Sequence, residues 1–397
     1  MIAAARQRPE RELPEGILPE RILPERILPE RILPERILPA HKLPAHKLRA
    51  GWEPARARQS GAVLIMALLI VAVVAGLATS MGFWFQLTLA RGENRWHGAQ
   101  AEAYLQGAES LAAYLLQDDY NNSKVDHLGE NWAREGVYFP VNERGDGLTP
   151  AIRDAQARLN LNSLATKLVY KNQSNTPDFA AFSPAQQQFV RLLQSFDALP
   201  VSEAEAVAIL EAVVDWIDRD SAVSGQGGAE LYEYQQLEPA YHPANQYFYS
   251  VSELRLVQGV SAELYQQLEP MLVALPEPVS LNLNTAPLQL LRTLGSKEQQ
   301  VPLSLAEAES LDAARQARRQ TGEGDKQGFA SPEEFFQTAE AEAVFGREAT
   351  LATEGLTVTS HYFQLQVEAA VARQRRTLVS LLQRSETGVK VVGRSGL

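Results

Sequence analysis

The chain has 397 residues, 37 Lys and Arg against 48 Asp and Glu, and no cysteine. That length suits two or three domains, and a hydrophobic content of 45% is too high for a wholly disordered chain. The lack of Cys excludes disulfides, iron–sulfur clusters, thiolate zinc sites and Cys nucleophiles. Residues 1–60 hold 12 basic and 8 acidic side chains, so the net charge of −11 lies in an acidic remainder. An acidic body argues against a broad phosphate-binding surface and is compatible with divalent cations.

From Ile17 a unit ILPER repeats, and 9 of the 22 prolines fall in the first 60 residues. A proline every fifth residue forbids a continuous helix, and a period of five gives neither a helical nor a strand face. The segment reads as extended or disordered. It is either a cytoplasmic tether or a translated tandem repeat upstream of the true start codon.

No charge occurs between Arg58 and Arg91. Ala62 to Phe85 as a helix would span about 36 Å, enough to cross a bilayer with some tilt. Trp84 and Phe85 stand where interfacial aromatics belong, and the basic residues before the span place the N-terminus in the cytoplasm. A cleaved secretory signal would have a shorter apolar run. Ala72, Gly76 and Ser80 form a small-residue stripe that lets another helix approach. Beyond the span, Trp96, Ala99, Ala103, Ala108, Leu111, Ala112 and Leu115 keep helical spacing, which predicts one helix from Ala62 to Gln117, about 80 Å long.

GVYFPVN and ARLNLNSLA read as first sheet elements. Five segments between residues 175 and 345 then show helical periodicity with Ser, Thr or Pro near their starts, enough for a separate helical core. The stretch GLTVTSHYFQLQVEAAVARQRRTLVSLLQRS alternates around a turn at Ala372–Arg376, as antiparallel strands do.

A basic patch, Gly61 and then an apolar helix start resembles a type IV prepilin or pseudopilin. The resemblance implies cleavage by a prepilin peptidase after Gly61, leaving Ala62 as the first mature residue. The fifth mature residue is then Met66, where most of that family carry Glu. ARLNLNSL, DWIDRD followed by GGAELY, PAYHPANQYFYSVSELRLVQGVS and LPEPVSLNLNTAP narrow the likeness. Over residues 56–390 the chain resembles the type II secretion system protein K family, minor pseudopilins that lack that Glu.

This resemblance implies an α+β, type IV pilin-like fold: a long N-terminal helix packed on an antiparallel sheet, with a large all-α insert containing helix-hairpin-helix-like (SAM-like) units. The boundaries are a leader over 1–61, a transmembrane half-helix over 62–91 and the first pilin-like part over 92–174. The insert follows over 175–345, then C-terminal strands over 346–390 and a tail over 391–397. It implies an inner-membrane protein with a periplasmic body at the pseudopilus tip. Minor pseudopilins I and J, other pseudopilins, the secretin and the prepilin peptidase are the implied partners, with no nucleic acid and no enzymatic turnover.

The acidic residues Asp215, Asp218 and Asp220 precede a Gly-rich loop that could return Glu230 toward them. Flexible loops rich in carboxylates supply the six to eight oxygens calcium takes, although the EF-hand spacing is absent. The resemblance also implies calcium in this helical region. Glu233 and Asn245 are weaker candidates for the same or a second site, and a solvated acidic helix end is the plain alternative. Asp215 and Asp218 could instead serve as an acid–base pair. No GxSxG, HExxH or phosphate loop accompanies them. SVSELRLVQGVSAELYQQL and LNLNTAPLQLLRTL resemble helix-hairpin-helix units, with Leu254, Leu256, Val257, Val260, Leu264 and Leu268 as a shared core. A DNA-uptake protein is the alternative this raises; it needs exposed hairpin amides and Lys or Arg near phosphates, and is disfavoured because the hairpin Gly259–Val260–Ser261 is followed by acidic Glu263.

Overall fold

The structure is a computed structural model that describes residues 60–171, 176–346 and 353–396. The ILPER repeat and the rest of the leader to residue 59 lie outside the described residues. The chain divides into two units, residues 1–74 and 75–397. Of the first, the described part opens helix α1 (Ser60–Asn122), with every side chain from Gly61 to Val74 exposed. The helix has no proline, and Thr79 and Thr88 return their hydroxyls to the carbonyls of Ala75 (2.6 Å) and Trp84 (2.8 Å). Their polar atoms are thus satisfied within the helix, as lipid requires.

In the second unit the later half of α1 buries Ala101, Leu105, Ala108, Ala112 and Leu116 against a sheet. The buried face matches the expected one at Ala108 and Ala112 only: Trp96, Leu111 and Leu115 are exposed at 71%, 52% and 40%. Three alanines on the true inner face let the helix axis approach the strands closely. The sheet contains β1 (Phe139–Pro140), β2 (Gly147–Asp154) and, much later in the chain, three strands whose order is given below.

After β2 come β3 (Leu159–Asn160), β4 (Tyr170–Lys171) and β5 (Thr176–Pro177). The helical region follows: α2 (Pro184–Gln194), α3 (Glu203–Ile217), α4 (Leu231–Gln235) and α5 (Ala262–Leu268). It continues through β6 (Leu272–Val273), β7 (Leu281–Asn282), α6 (Leu288–Leu291), α7 (Leu305–Thr321), α8 (Pro332–Phe336) and α9 (Ala339–Phe345). Ser183, Ser202 and Ser304 begin α2, α3 and α7 with reciprocal capping boxes to Gln186, Glu205 and Glu307. Then β8 (Leu356–Thr357) leads into β9 (Tyr362–Val371), β10 (Gln374–Ser385) and β11 (Gly388–Ser395).

The main sheet runs β1-β2-β9-β10-β11, antiparallel throughout. Since β2 and β9 are neighbours, everything from residue 155 to 361 is made between two adjacent strands. Glu109 of α1 fastens the helix to the far edge, accepting from Arg394 Nη2 (2.7 Å) and Ser380 Oγ (2.6 Å).

Three expectations need correction. ARLNLNSLA does not join the main sheet: β3 pairs with β6, and Leu159, Leu161 and Leu164 sit in the helical core. Its asparagines explain why, since Asn162 Nδ2 donates to the carbonyls of Phe248 (2.9 Å) and Leu275 (2.8 Å). Residues 391–395, expected as tail, belong to β11, and a bulge opposite Leu381/Leu382 keeps them paired. Of the expected hairpin core, Leu254, Val257, Leu264 and Leu268 are buried, but Leu256 is 45% exposed. The first hairpin element is a 3-10 helix over Val251–Leu256, which turns that side chain outward.

Candidate metal centre

Helix α3 presents two carboxylates inward one turn apart, Glu211 and Asp215, both buried. Each holds the following glycine loop by its backbone. Asp215 accepts from Ser224 N at 3.1 and 3.2 Å. Glu211 Oε2 accepts from Gly227 N (2.7 Å) and Gln226 N (3.1 Å). Gly225 has φ +61°, and a Cβ there would collide with the Glu211 carboxylate. At Gly228 a Cβ would strike Asp215. The glycines therefore allow the loop to lie directly on the helix.

That folding-back brings Asp218, Asp220 and Glu230 together, with a carboxylate oxygen from each within 4.8 Å of the others. Asp218 is the C-cap of α3 in extended backbone, so it leaves the face that Asp215 occupies. Three of the four main sequence candidates thus converge. Asp215 does not join them, because its carboxylate is spent on Ser224 N. Glu233, a weaker candidate, accepts from Glu230 N (2.9 Å) and so caps α4. Asn245, the other, donates its Nδ2 to Asp220 O at 3.0 Å.

Four oxygens in this cluster are buried without a hydrogen-bond partner: Asp218 Oδ1, both carboxylate oxygens of Glu230, and Asn245 Oδ1. Buried oxygens left so are costly unless something electropositive sits among them. Burial raises Asp218, and the neighbouring Asp220 and Asp215 charges add to it. Burial and the Asp215, Asp218 and Asp220 charges push Glu230 up to about 7. Carboxylate and amide oxygens of this kind form the donor set of a hard divalent ion.

Sequence reasoning missed a second acidic group. Asp119 at the end of α1 and Asp126 and Glu130 in the loop after it also converge within 4.8 Å. This group has a guanidinium in it. Arg384 of β10 is fully buried, with Nη2 at 2.5 Å from Asp126 and Nη1 at 3.1 Å from Asp119. Glu130 accepts from His127 N (2.9 Å) and Trp132 Nε1 (2.7 Å). Burial and the Asp119 and Asp126 charges push it up to about 8. Asp119 is raised as well, by burial and by the Asp126 charge. Nearby Asp154, fully buried, accepts from Thr285, Ser360 and Asn282 and is pushed up to about 6 by burial. No local spacing joins these residues, since Arg384 is over 250 positions from Asp119 and Asp126.

At the membrane end, Gly61 and Ala62 lie in the first turn of α1, and Ala72, Gly76 and Ser80 are exposed. A mean hydropathy of 2.8 over the most apolar window and an unburied surface suit α1 to cross a membrane once. Fold and site together define a mixed helix-and-sheet protein with a long N-terminal helix whose apolar half fits a single-pass membrane anchor.

Residues 157–277 and 281–359 match two family profiles, each described as type II secretion system protein K. A type II secretion system protein K of Aeromonas hydrophila is 35% identical over 84% of this chain and 95% of its own length. One of Pseudomonas aeruginosa is 33% identical over 85% of this chain and 93% of its own. A crystal structure titled as the GspK-GspI-GspJ complex of the enterotoxigenic Escherichia coli type 2 secretion system matches 77% of this chain and 99% of that chain. Its TM-score is 0.60 and its identity 29%. The chain belongs to the type II secretion system protein K family, the minor pseudopilins of that export machine. None of these matches favours the DNA-uptake alternative.

Proposed function

We propose that this minor pseudopilin sits at the tip of the pseudopilus, where it initiates or caps assembly for protein export across the outer membrane. The observation that carries the reading is α1 itself: an exposed apolar half continuous with a half packed on an antiparallel sheet. On this reading the sheet and α1 are a pilin-like domain, and the helical region between β2 and β9 is its insert. The role is structural, with no substrate turned over.

The solved relative is a complex with GspI and GspJ, and by likeness the partners are minor pseudopilins I and J of the same system. The N-terminus is cytoplasmic and the body periplasmic, following the basic flank before the span. Prepilin peptidase cuts between Gly61 and Ala62. Met66 then stands where other pseudopilins place a Glu that reaches a neighbour's amine. A tip subunit has no neighbour above it and needs no such carboxylate. The stripe Ala72, Gly76 and Ser80 serves helix–helix contact in the membrane.

Calcium occupies the insert, held by Asp218, Asp220, Glu230 and Asn245. The support is the set of four partnerless buried oxygens. Bound there, the ion supplies the positive charge that ties the end of α3 to α4 and the Asn245 loop.

Coexpression with a prepilin peptidase tests the assignment. The product should begin at Ala62, and Gly61→Asp should block cutting. A chain that keeps its leader beside an active peptidase would defeat the proposal.

A further inference from the structure

The body is acidic overall, which makes one basic patch conspicuous. Arg91 and Arg95 on α1, Arg144 in the loop between β1 and β2, and Arg373, Arg375 and Arg376 at the β9–β10 turn come from three separate parts of the chain. Two hydrogen bonds gather them. Gln374 Nε2 donates to Asn94 O (2.9 Å), which fixes the hairpin against α1. Ala372 N donates to Asp146 Oδ1 (2.8 Å), which fixes the β1–β2 loop against the hairpin. Gly98 completes the fit, since a Cβ there would lie 3.0 Å from Arg376 Nη2.

The acids nearby cancel this charge only in part. Asp146 stays ionised, held low by Ala372 N, Asn142 Nδ2 and the charge of Arg144, and Glu368 pairs with Arg375 at 2.5 Å. Glu93 and Glu143 remain exposed. Among the described residues no ion pair engages Arg91, Arg95, Arg144, Arg373 or Arg376.

Position on the helix says what faces the patch. The charge-free stretch of α1 ends at Ala90, just after Trp84 and Phe85 where interfacial aromatics belong. Asn94 lies only about 6 Å further along. The hairpin tip is therefore at the height of the outer headgroups, within reach of arginine side chains. Trp96, 71% exposed, is an interfacial side chain at the same level.

The geometry points to a headgroup-binding foot: the unpaired arginines of this patch clasp the phosphates of anionic phospholipids in the leaflet beneath the body. This depends on the membrane span alone and not on the pseudopilin assignment.

The full chain in nanodiscs of phosphatidylcholine alone, or of three parts phosphatidylcholine to one part phosphatidylglycerol, provides the test. Amide exchange over residues 142–146 and 371–376 should slow about tenfold or more in the anionic discs, at about fivefold per engaged arginine. Added salt should reverse the slowing, and Arg373→Gln/Arg375→Gln/Arg376→Gln should abolish it. The pair Arg373→Gln/Arg375→Gln, both exposed, serves if Arg376→Gln disturbs folding. Equal exchange in both discs, protection that survives the substitutions, or the same protection from inorganic phosphate over phosphatidylcholine would each overturn the proposal.

Discussion

Two groups of three carboxylates in this molecule have similar spacing and opposite solutions to their charge. Asp119 and Asp126 pair with Arg384, and burial with their charges pushes the neighbouring Glu130 up to about 8. Among the described residues no ion pair engages Asp218, Asp220 or Glu230, where only the charge of Lys167 is felt at Asp218, and four nearby oxygens have no hydrogen-bond partner. The first group holds its own guanidinium and locks α1 to β10 and to Ser360 at the entry to β9. Acidic clustering alone therefore does not mark a metal site; the proposed calcium rests on the partnerless oxygens of the second group.

The largest expected effect is on the arginine-paired group. Arg384→Leu strands Asp126 and Asp119 in a buried site, and breaking such a pair costs about 3–5 kcal/mol. Denaturant unfolding should show that loss, with calcium giving no rescue. A near-normal midpoint would mean the two groups do not differ as described. The second group should respond to chelator instead. Calcium at a hundredfold its dissociation constant contributes about 2.7 kcal/mol. EGTA should thus lower the melting temperature by several degrees, and Asp218→Ala should remove that sensitivity. Asp215→Asn should keep it, because Asp215 holds Ser224 rather than the ion.

Gly225→Ala comes next. It forces a Cβ into Glu211 at φ +61° and should cost about 1–3 kcal/mol. Calcium affinity should fall with it, since the loop that returns Glu230 lifts off α3.

The smallest effects concern pH. Glu130 and Glu230 both have folded values above the ordinary carboxyl range, so each favours folding most at low pH. That advantage is lost as pH rises through about 8 for Glu130 and about 7 for Glu230. Glu130→Gln keeps the neutral form and should overtake the natural protein in melting temperature as pH climbs from 5 to 8. Calcium should reverse the loss at Glu230 only, so its stabilising effect grows over the same range. A calcium effect that is flat with pH would separate Glu230 from the ion.

Much of this was legible where the signal is local. The uninterrupted apolar run announced α1, the Ser-capped periodic segments announced α2, α3 and α7, and alternation announced β9 and β10. Strand β2 was not legible because Pro150 sits in its middle, which ordinarily argues against a strand. The short β1 pairs only with Gly147 and Leu148, so β2 has an open edge beside Pro150 and the missing amide costs little. Asp218, Asp220 and Glu230 could be read from clustering and glycine content. Asp215 could not be separated from them, because its role depends on where Ser224 N comes to rest. Asn245 acquires meaning only once its loop has returned to Asp220. Asp119, Asp126 and Arg384 leave no mark at any sequence spacing, since the sheet alone brings them together.

Purification after coexpression of the full chain with prepilin peptidase and minor pseudopilins I and J of its own system bears most directly on the central claim. The account predicts a stable ternary complex in which this subunit begins at Ala62. Recovery of this chain alone, still carrying its ILPER segment while I and J are processed and pair without it, would contradict it.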